Sequence, residues 1–202
     1  MNELINAVNQ AETSAQMVTA VKNLAAAKDP KAISTLIAVF GYNNPAAAVV
    51  AVAGLTELGE IAVPQLLEQI DDYNYGARAY SIRTLAAIAD PRALDVLITA
   101  AATDFAPSVR RAAAKGLGNL NWSQLGIAER QTAINRALET LLLICQDTDW
   151  SIRYAAIVGL QSLAKIAEVR EIILTRFQEM LAHDSEKAVC ARIQLASRTP
   201  IH

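Results

Sequence analysis

Histidine and cysteine are nearly missing from this 202-residue chain: His183, His202, Cys145 and Cys190 are the full set. Two of each are too few for a metal cluster, and no CxxC spacing offers a zinc or redox pair. No metal is therefore expected, and the sparse thiols suit a reducing, cytosolic compartment. Aromatic residues make up 5%, and the alternating β-branched and aromatic runs that mark strands are scarce. An excess of positive charge is also lacking. Net charge is −2 and the pI lies near 5.7, whereas phosphate-backbone binders are usually strongly basic, so nucleic acid is not an expected partner. No window approaches 18 uncharged apolar residues. The richest, residues 46–58, is mostly alanine and reads as a buried helix, so no membrane span is expected. Residues 1–10 lack the basic and apolar regions of a secretory signal. A nucleophile–base pair within one segment, a Gly-rich phosphate loop and an HExxH motif are absent too, and the scattered carboxylates sit where helix capping explains them.

What is abundant is alanine and leucine. Hydrophobic residues form 53% of the chain and mean hydropathy is +0.24. Punctuation separates helical stretches at Asp29-Pro30, Asn44-Pro45, Asp71-Asp72, Asp90-Pro91, Ala106-Pro107 and Asp147-Thr148-Asp149. Proline is tolerated in the first turn of a helix and aspartate or asparagine caps its free N–H groups, so each point marks a helix start. The pattern predicts an all-α chain whose helices pair every thirty-odd residues.

A repeat frame emerges by alignment. With Arg110 and Arg153 at position zero, Asp104 and Asp147 lie six before, Ala113 and Ala156 three after, Leu117 and Leu160 seven after, and Leu120 and Leu163 ten after. The Ser81-Ile82-Arg83 triplet looks like Ser108-Val109-Arg110 but is out of frame, because Asp90 stands seven beyond Arg83. Arg78 is in frame, with Asp72 six before, Leu85 seven after and Ile88 ten after; upstream, Leu55 and Leu58 continue the ladder with Ala48 in the arginine slot. The long interval between Leu117 and Leu160 holds an insertion, at about 121–131, with a Trp and a Gly outside the helical pattern.

Asp…Arg six apart before the second helix of a pair resembles the HEAT repeat. That likeness implies a HEAT-like α-α superhelix (solenoid) of about five helical hairpins, one domain over 1–202, with atypical capping helices at about 1–28 and 167–202. It implies that Asp72/Arg78, Asp104/Arg110 and Asp147/Arg153 staple neighbouring repeats, an arginine fork satisfying carboxylate and carbonyl partners. Cys145, eight before Arg153 in the slot of Ile70 and Ala102, reads as a small core filler. The stripe one, five and eight past each arginine is expected to face away from the packed side. It reads Ala79, Arg83, Ala86; Arg111, Lys115, Gly118; Tyr154, Val158, Gln161. Aromatic residues gather at the entering turns: Tyr73, Tyr75, Phe105 and Trp150. Cations with flat rings suit a flat, apolar ligand carrying carboxylates, or an acidic protein patch.

The stretch "DDYNYGARAYSIRTLAAIADPRALDVLITAAATDFAPSVRRAAAKGLGNL", residues 71–120, carries a more specific likeness. Its Asp72-Tyr73-Asn74-Tyr75-Gly76-Ala77-Arg78 run, its Ile88-Ala89-Asp90-Pro91-Arg92-Ala93-Leu94 run and Asp104-Phe105 with Ser108-Val109-Arg110-Arg111 resemble the phycobilin lyases of the E/F type. A short chain of this length resembles their F subunits, which in the phycocyanin α-subunit phycocyanobilin lyases work as a heterodimer with a longer E subunit. The resemblance implies a cyanobacterial, cytoplasmic, phycobilisome-associated protein. With its E-type partner it would attach a linear tetrapyrrole, phycocyanobilin, as substrate and with no cofactor, through a thioether to a cysteine of the phycocyanin α subunit. Members that also isomerise the bilin carry an adjacent His-Cys pair; here His183 and Cys190 are apart and Cys145 has no neighbouring histidine, so plain ligation is expected. Arg83, Arg111 and Lys115 would pair the bilin propionates, and Asp72, Asp104 or Asp149 would hold its pyrrole nitrogens. Tyr73, Tyr75, Phe105, Trp150 and Tyr154 would pack on its rings. No catalytic side chain is expected, since the acceptor cysteine supplies the nucleophile. The competing expectation is a non-enzymatic HEAT adaptor or chaperone of phycobiliproteins, acting in phycobilisome assembly or breakdown.

Overall fold

The computed structural model describes residues 1–70 and 74–198. Asp72 and Tyr73, and with them the proposed Asp72/Arg78 staple, lie outside the described residues. Among those described there are α-helices, short 3-10 turns and connecting turns, with no strand. The chain divides into two compact units, Met1–Ala93 and Leu94–His202.

In the first unit α1 (Asn2–Asn9) and α2 (Ser14–Ala26) precede α3 (Ile33–Ala38), α4 (Pro45–Leu58), α5 (Val63–Glu68) and α6 (Tyr75–Ile88). The expected caps are in place where the residues are described. Thr13 and Gln16 form a reciprocal capping box on α2. Asn44 accepts from the Ala47 N–H at 3.1 Å with Pro45 at the first helical position, and Asn74 accepts from Ala77 at 3.1 Å. Asp29-Pro30 and Asp90-Pro91 differ in one respect: each opens a 3-10 turn that leads into the following helix. The cause is visible in the carboxylates, which bond two residues on, to Lys31 and Arg92, and hold a tighter turn.

By length and composition alone, Pro45–Glu68 (24 residues, mean hydropathy 1.7) suffices to cross a membrane. The fold interrupts it. Gly59, at φ +69°, ends α4, and a 3-10 turn intervenes before α5. Ala47, Ala48, Ala51 and Leu55 of α4 are fully buried between α2 and α6. These small side chains let the helices close up, and a Cβ on Gly54 would stand 2.6 Å from the Ala25 Cβ.

The second unit holds α7 (Leu94–Thr103), α8 (Pro107–Asn119), α9 (Ile127–Ile144), α10 (Trp150–Leu163), α11 (Ala167–His183) and α12 (Lys187–Arg198). Here α8, α10 and α12 pack side by side, with α7, α9 and α11 against them. Each supplies one apolar stripe, for example Val109, Ala113 and Leu117 on α8 and Ile152, Ala156 and Leu160 on α10, all essentially without exposure. Within the expected insertion, Trp122 is buried in a 3-10 turn, and α9 begins at Ile127.

Gly118 departs from the outward placement expected of it. It is buried against α10, where an added Cβ would overlap the carbonyl oxygen of Gly159, and a Cβ on Gly159 would overlap that of Ala114. The two backbones touch there. At Gly118 the stripe one, five and eight past the arginine therefore leans toward the next second helix, while Arg83 and Lys115 of the same stripe are exposed.

Candidate functional site

The Asp–Arg ladder sets the geometry of the second unit. Arg110 Nε donates to Ala101 O at 3.0 Å and Nη2 to Asp147 Oδ2 at 2.6 Å. Arg153 Nη1 donates to Asp147 O at 2.8 Å, and its other prong grips Asp184. Each arginine thus bonds a carbonyl of its own helix pair and a carboxylate of the next. Each aspartate also accepts an N–H two residues on: Asp104 from Ala106, Asp147 from Asp149 and Asp184 from Glu186, at 2.8–2.9 Å. Arg78, in the first unit, is buried and engaged.

Asp184 is a rung that sequence reasoning missed. Its arginine slot, six residues on, holds Cys190, whose thiol donates to Asp184 O at 3.3 Å, as Arg153 donates to Asp147 O. The echo of Asp147-x-Asp149 in Asp184-x-Glu186 was the available signal.

The candidate binding residues fall into both units. In the first, Tyr75 opens α6 and is 45% exposed. Arg83 lies with its guanidinium 5.7 Å from the Tyr80 ring centroid, and that ring stacks on Phe40 at 5.6 Å. Tyr80 and Phe40 were not anticipated as supports for Arg83, although Tyr80 stands one turn before it on α6.

In the second unit, Phe105 (75% exposed) and Trp150 (47%) stand at the entering turns of α8 and α10. Asp149 caps α10: one carboxylate oxygen accepts the Ser151 N–H at 2.8 Å and the Ser151 hydroxyl at 2.7 Å. These bonds, the hydroxyl first, hold its carboxyl below the usual aspartate range. Arg111 donates from α8 to Ser151 Oγ at 3.0 Å, so Arg111, Ser151 and Asp149 form one relay across α8 and α10. Lys115 is exposed on α8. Tyr154, half-buried, has the Arg192 guanidinium 6.0 Å from its ring centroid. Arg192, on α12, also donates to Gln161 Oε1 of α10. The structure brings Arg111, Asp149 and Trp150 to one end of α10, and Tyr154 together with Arg192, which the sequence reading left out because the last helix departs from the repeat frame.

A cavity of about 650 Å³ in the same unit is lined by Cys145, Arg153, Arg176, Met180, His183 and Asp184, among others. Cys145 and His183, distant in sequence, thus border one space. Burial pushes the Cys145 thiol up to about 12, against a smaller opposing pull from Arg176. It is a neutral core thiol and no nucleophile at ordinary pH.

Exposed rings, a hydrogen-bonded carboxylate and part-buried guanidinium groups on α-helical hairpins define a binding scaffold of HEAT type. HEAT-repeat families match at residues 63–125 and 137–167, and the PBS lyase HEAT-like repeat at 109–147. The phycocyanobilin lyase subunit beta of Nostoc sp. (strain PCC 7120) is 71% identical over 96% of this chain and 98% of its own length. The phycocyanin alpha phycocyanobilin lyase CpcF of Synechocystis sp. (strain PCC 6803) is 47% identical over 96% of this chain and 91% of its own. A chain in the solved complex of CpcE and CpcF of phycocyanin lyase from Nostoc sp. superposes with a TM-score of 0.82. It shows 73% identity and covers 84% of this chain and 99% of its own length. This chain belongs to the phycocyanobilin lyase β-subunit (CpcF) family.

Proposed function

We propose that this chain is the F-type subunit of a heterodimeric bilin lyase. With an E-type partner it attaches phycocyanobilin, through a thioether, to a cysteine of the phycocyanin α subunit in the cyanobacterial cytoplasm, where phycobilisomes are built. The observation that carries this reading is end-to-end identity of 71% to a phycocyanobilin lyase β subunit. The partner follows from the family's structure as a CpcE–CpcF complex.

The chemistry is the net addition of the acceptor S–H across the ethylidene double bond of the bilin. A sulfur–carbon bond forms, the π pair moves into the adjoining ring system, and a proton is taken up. No oxidant and no leaving group are required, and the acceptor supplies the thiolate. The lyase chain need not supply a thiolate of its own, and Cys145 is held protonated. The contribution of this chain is to hold the pigment in one conformation beside the acceptor thiol, which raises the effective concentration of the reacting groups. Arg111 and Lys115 are cations for the propionates, Asp149 is a carboxylate for pyrrole N–H groups, and Phe105, Trp150 and Tyr154 are flat apolar surfaces; Tyr75 and Arg83 offer the same chemistry in the first unit.

Co-expression of this chain with an E-type subunit, phycocyanobilin and the apo α subunit tests the assignment. A covalent, zinc-fluorescent α band that disappears when this chain is omitted is the expected result. A band of equal strength without it would assign ligation to the partner alone, and no band with all components present would overturn the reading.

A further inference from the structure

Arg192 is a charged side chain buried to 9% exposure on α12. In the same unit Arg110, Arg153 and Arg176 each meet a carboxylate, Asp147, Asp184 and Glu179 respectively. Arg192 meets none among the described residues. Its partners are the neutral Gln161 amide oxygen and the face of Tyr154, both on α10. A guanidinium withdrawn from water without an anion is unfavourable, and an amide and a ring offset that only in part. The side chain is nonetheless fixed, with Nη2 anchored on Gln161. Its other N–H groups are not fully enclosed, the one fully enclosed donor without a partner among the described residues being Arg176 Nε. A planar fork held on one prong beside a ring, with donors to spare, is arranged to receive a carboxylate.

The surroundings favour a carboxylate on a flat, apolar body. Ser151, Tyr154, Val158 and Gln161 share one face of α10 at helical spacing, so Ser151 and Gln161 stand about 15 Å apart along the axis. Arg111 reaches this face from α8 at Ser151, and Arg192 reaches it from α12 at Gln161. Tyr154 and Val158 between them are half-buried. The charge of Arg111 is partly balanced by Asp149 behind Ser151. That of Arg192 has no such balance among the described residues, which makes it the stronger receptor of the two.

We infer that Arg192 pairs a propionate carboxylate of the tetrapyrrole at the seam of α10 and α12, with Tyr154 packed beside it; this rests on the bilin-holding role proposed above. Arg192 is then a substrate-positioning residue that selects the free acid over an uncharged analogue.

The test is a binding titration of the purified heterodimer, followed by bilin absorbance, with phycocyanobilin and with its dimethyl ester. The unaltered heterodimer is expected to bind the acid at least about tenfold more tightly than the ester, the worth of one charge-assisted hydrogen-bond pair. Arg192→Gln, which removes the charge, should bring acid affinity down to the ester value and leave ester binding and the melting temperature nearly unchanged. Arg192→Lys should recover part of the preference. Equal binding of acid and ester by the unaltered heterodimer overturns the inference without any variant. So does a parallel loss for both ligands in Arg192→Gln, which would mark Arg192 as packing. A preference that survives Arg192→Gln removes this residue and leaves the lyase reading standing. Failure of the unaltered heterodimer to take up any bilin overturns both.

Discussion

Arg153 grips Asp184 with both prongs of its guanidinium, Nε to Oδ2 at 2.7 Å and Nη2 to Oδ1 at 2.9 Å. Its Nη1 meanwhile donates to Asp147 O, so one side chain joins two successive helix pairs. The pair is largely shielded, with side-chain exposures of 16% and 7%. Two-pronged geometry and low exposure set it apart from surface ion pairs of little worth. Asp184→Ala strands a part-buried cation and should destabilise the protein by about 2–4 kcal/mol. Urea denaturation would register this as a lower midpoint with unchanged slope. A midpoint within error of the unaltered protein would show that the ladder aligns the helices without stabilising them.

The same bond gives stability a pH dependence. Hydrogen bonding from Arg153, outweighing desolvation, holds the Asp184 carboxyl below its ordinary value. A depressed folded-state pKa contributes stability above the unfolded value, about 4, and that contribution disappears as pH falls through the lower folded value. Asp90, bonded by the Arg92 side chain, and Asp149, bonded by Ser151, titrate in the same direction. Stability should therefore drop as pH falls below about 4, and Asp184→Asn should flatten part of that slope. Denaturation midpoints measured across this window decide it; parallel slopes for the two proteins would exclude Asp184 as a contributor.

The helix pairs and the ladder could be read from the sequence because capping residues, prolines and the Asp…Arg spacing are local signals. Asn44, Asp149 and Pro107 stand where such chemistry places them. Asp184 escaped because the slot six residues on holds Cys190, breaking the motif where the next arginine would be. Arg192 escaped for a related reason: with Cys190 in the arginine slot, the position seven on holds Ser197, so the register of this helix carries no leucine marker. The contact of Gly118 with Gly159 is a tertiary fact, since it depends on how two helices cross and no periodicity within either one reports it.

That crossing makes a sharp prediction. A methyl on Gly118 would overlap the Gly159 carbonyl oxygen, which is backbone and cannot rotate away, so α8 and α10 would have to separate. Gly118→Ala should cost about 3 kcal/mol or more despite the better helix propensity of alanine. Gly126→Ala, where an added Cβ meets nothing within 4 Å, is the control and should change stability by under about 1 kcal/mol. Thermal melts of the two variants check the contrast, and a Gly118→Ala protein as stable as the control would contradict the close approach.

The two thiols should separate under alkylation. Cys145 is 3% exposed, and burial raises its pKa to about 12, so it carries almost no thiolate at pH 8. Cys190 is only half-buried. Iodoacetamide on the native chain should label Cys190 and spare Cys145 until denaturant is added, as peptide mass mapping would resolve. Because Cys145 is a buried, protonated thiol, Cys145→Ala should retain bilin transfer at a modest cost in stability. Loss of transfer in a folded Cys145→Ala heterodimer would return this thiol to the chemistry.

Exposed aromatic residues and cations allow binding to be separated from folding. Phe105 and Trp150 are 75% and 47% exposed, so truncating either removes little core contact. Arg83 rests over Tyr80 and Arg111 on Ser151, and neither forms an ion pair among the described residues. Arg83→Ala combined with Arg111→Ala should therefore leave helix content by circular dichroism intact while lowering bilin transfer by about tenfold or more, as expected for losing charge-assisted contacts. Phe105→Ala and Trp150→Ala should weaken transfer less, by the stacking they supply to a flat pigment. The readout is zinc fluorescence of the α band under limiting bilin, where a loss of affinity shows directly. Transfer at the unaltered rate in the double arginine variant would exclude each of these arginines as a contact of the bilin and leave Arg192 and Lys115 to carry the propionates.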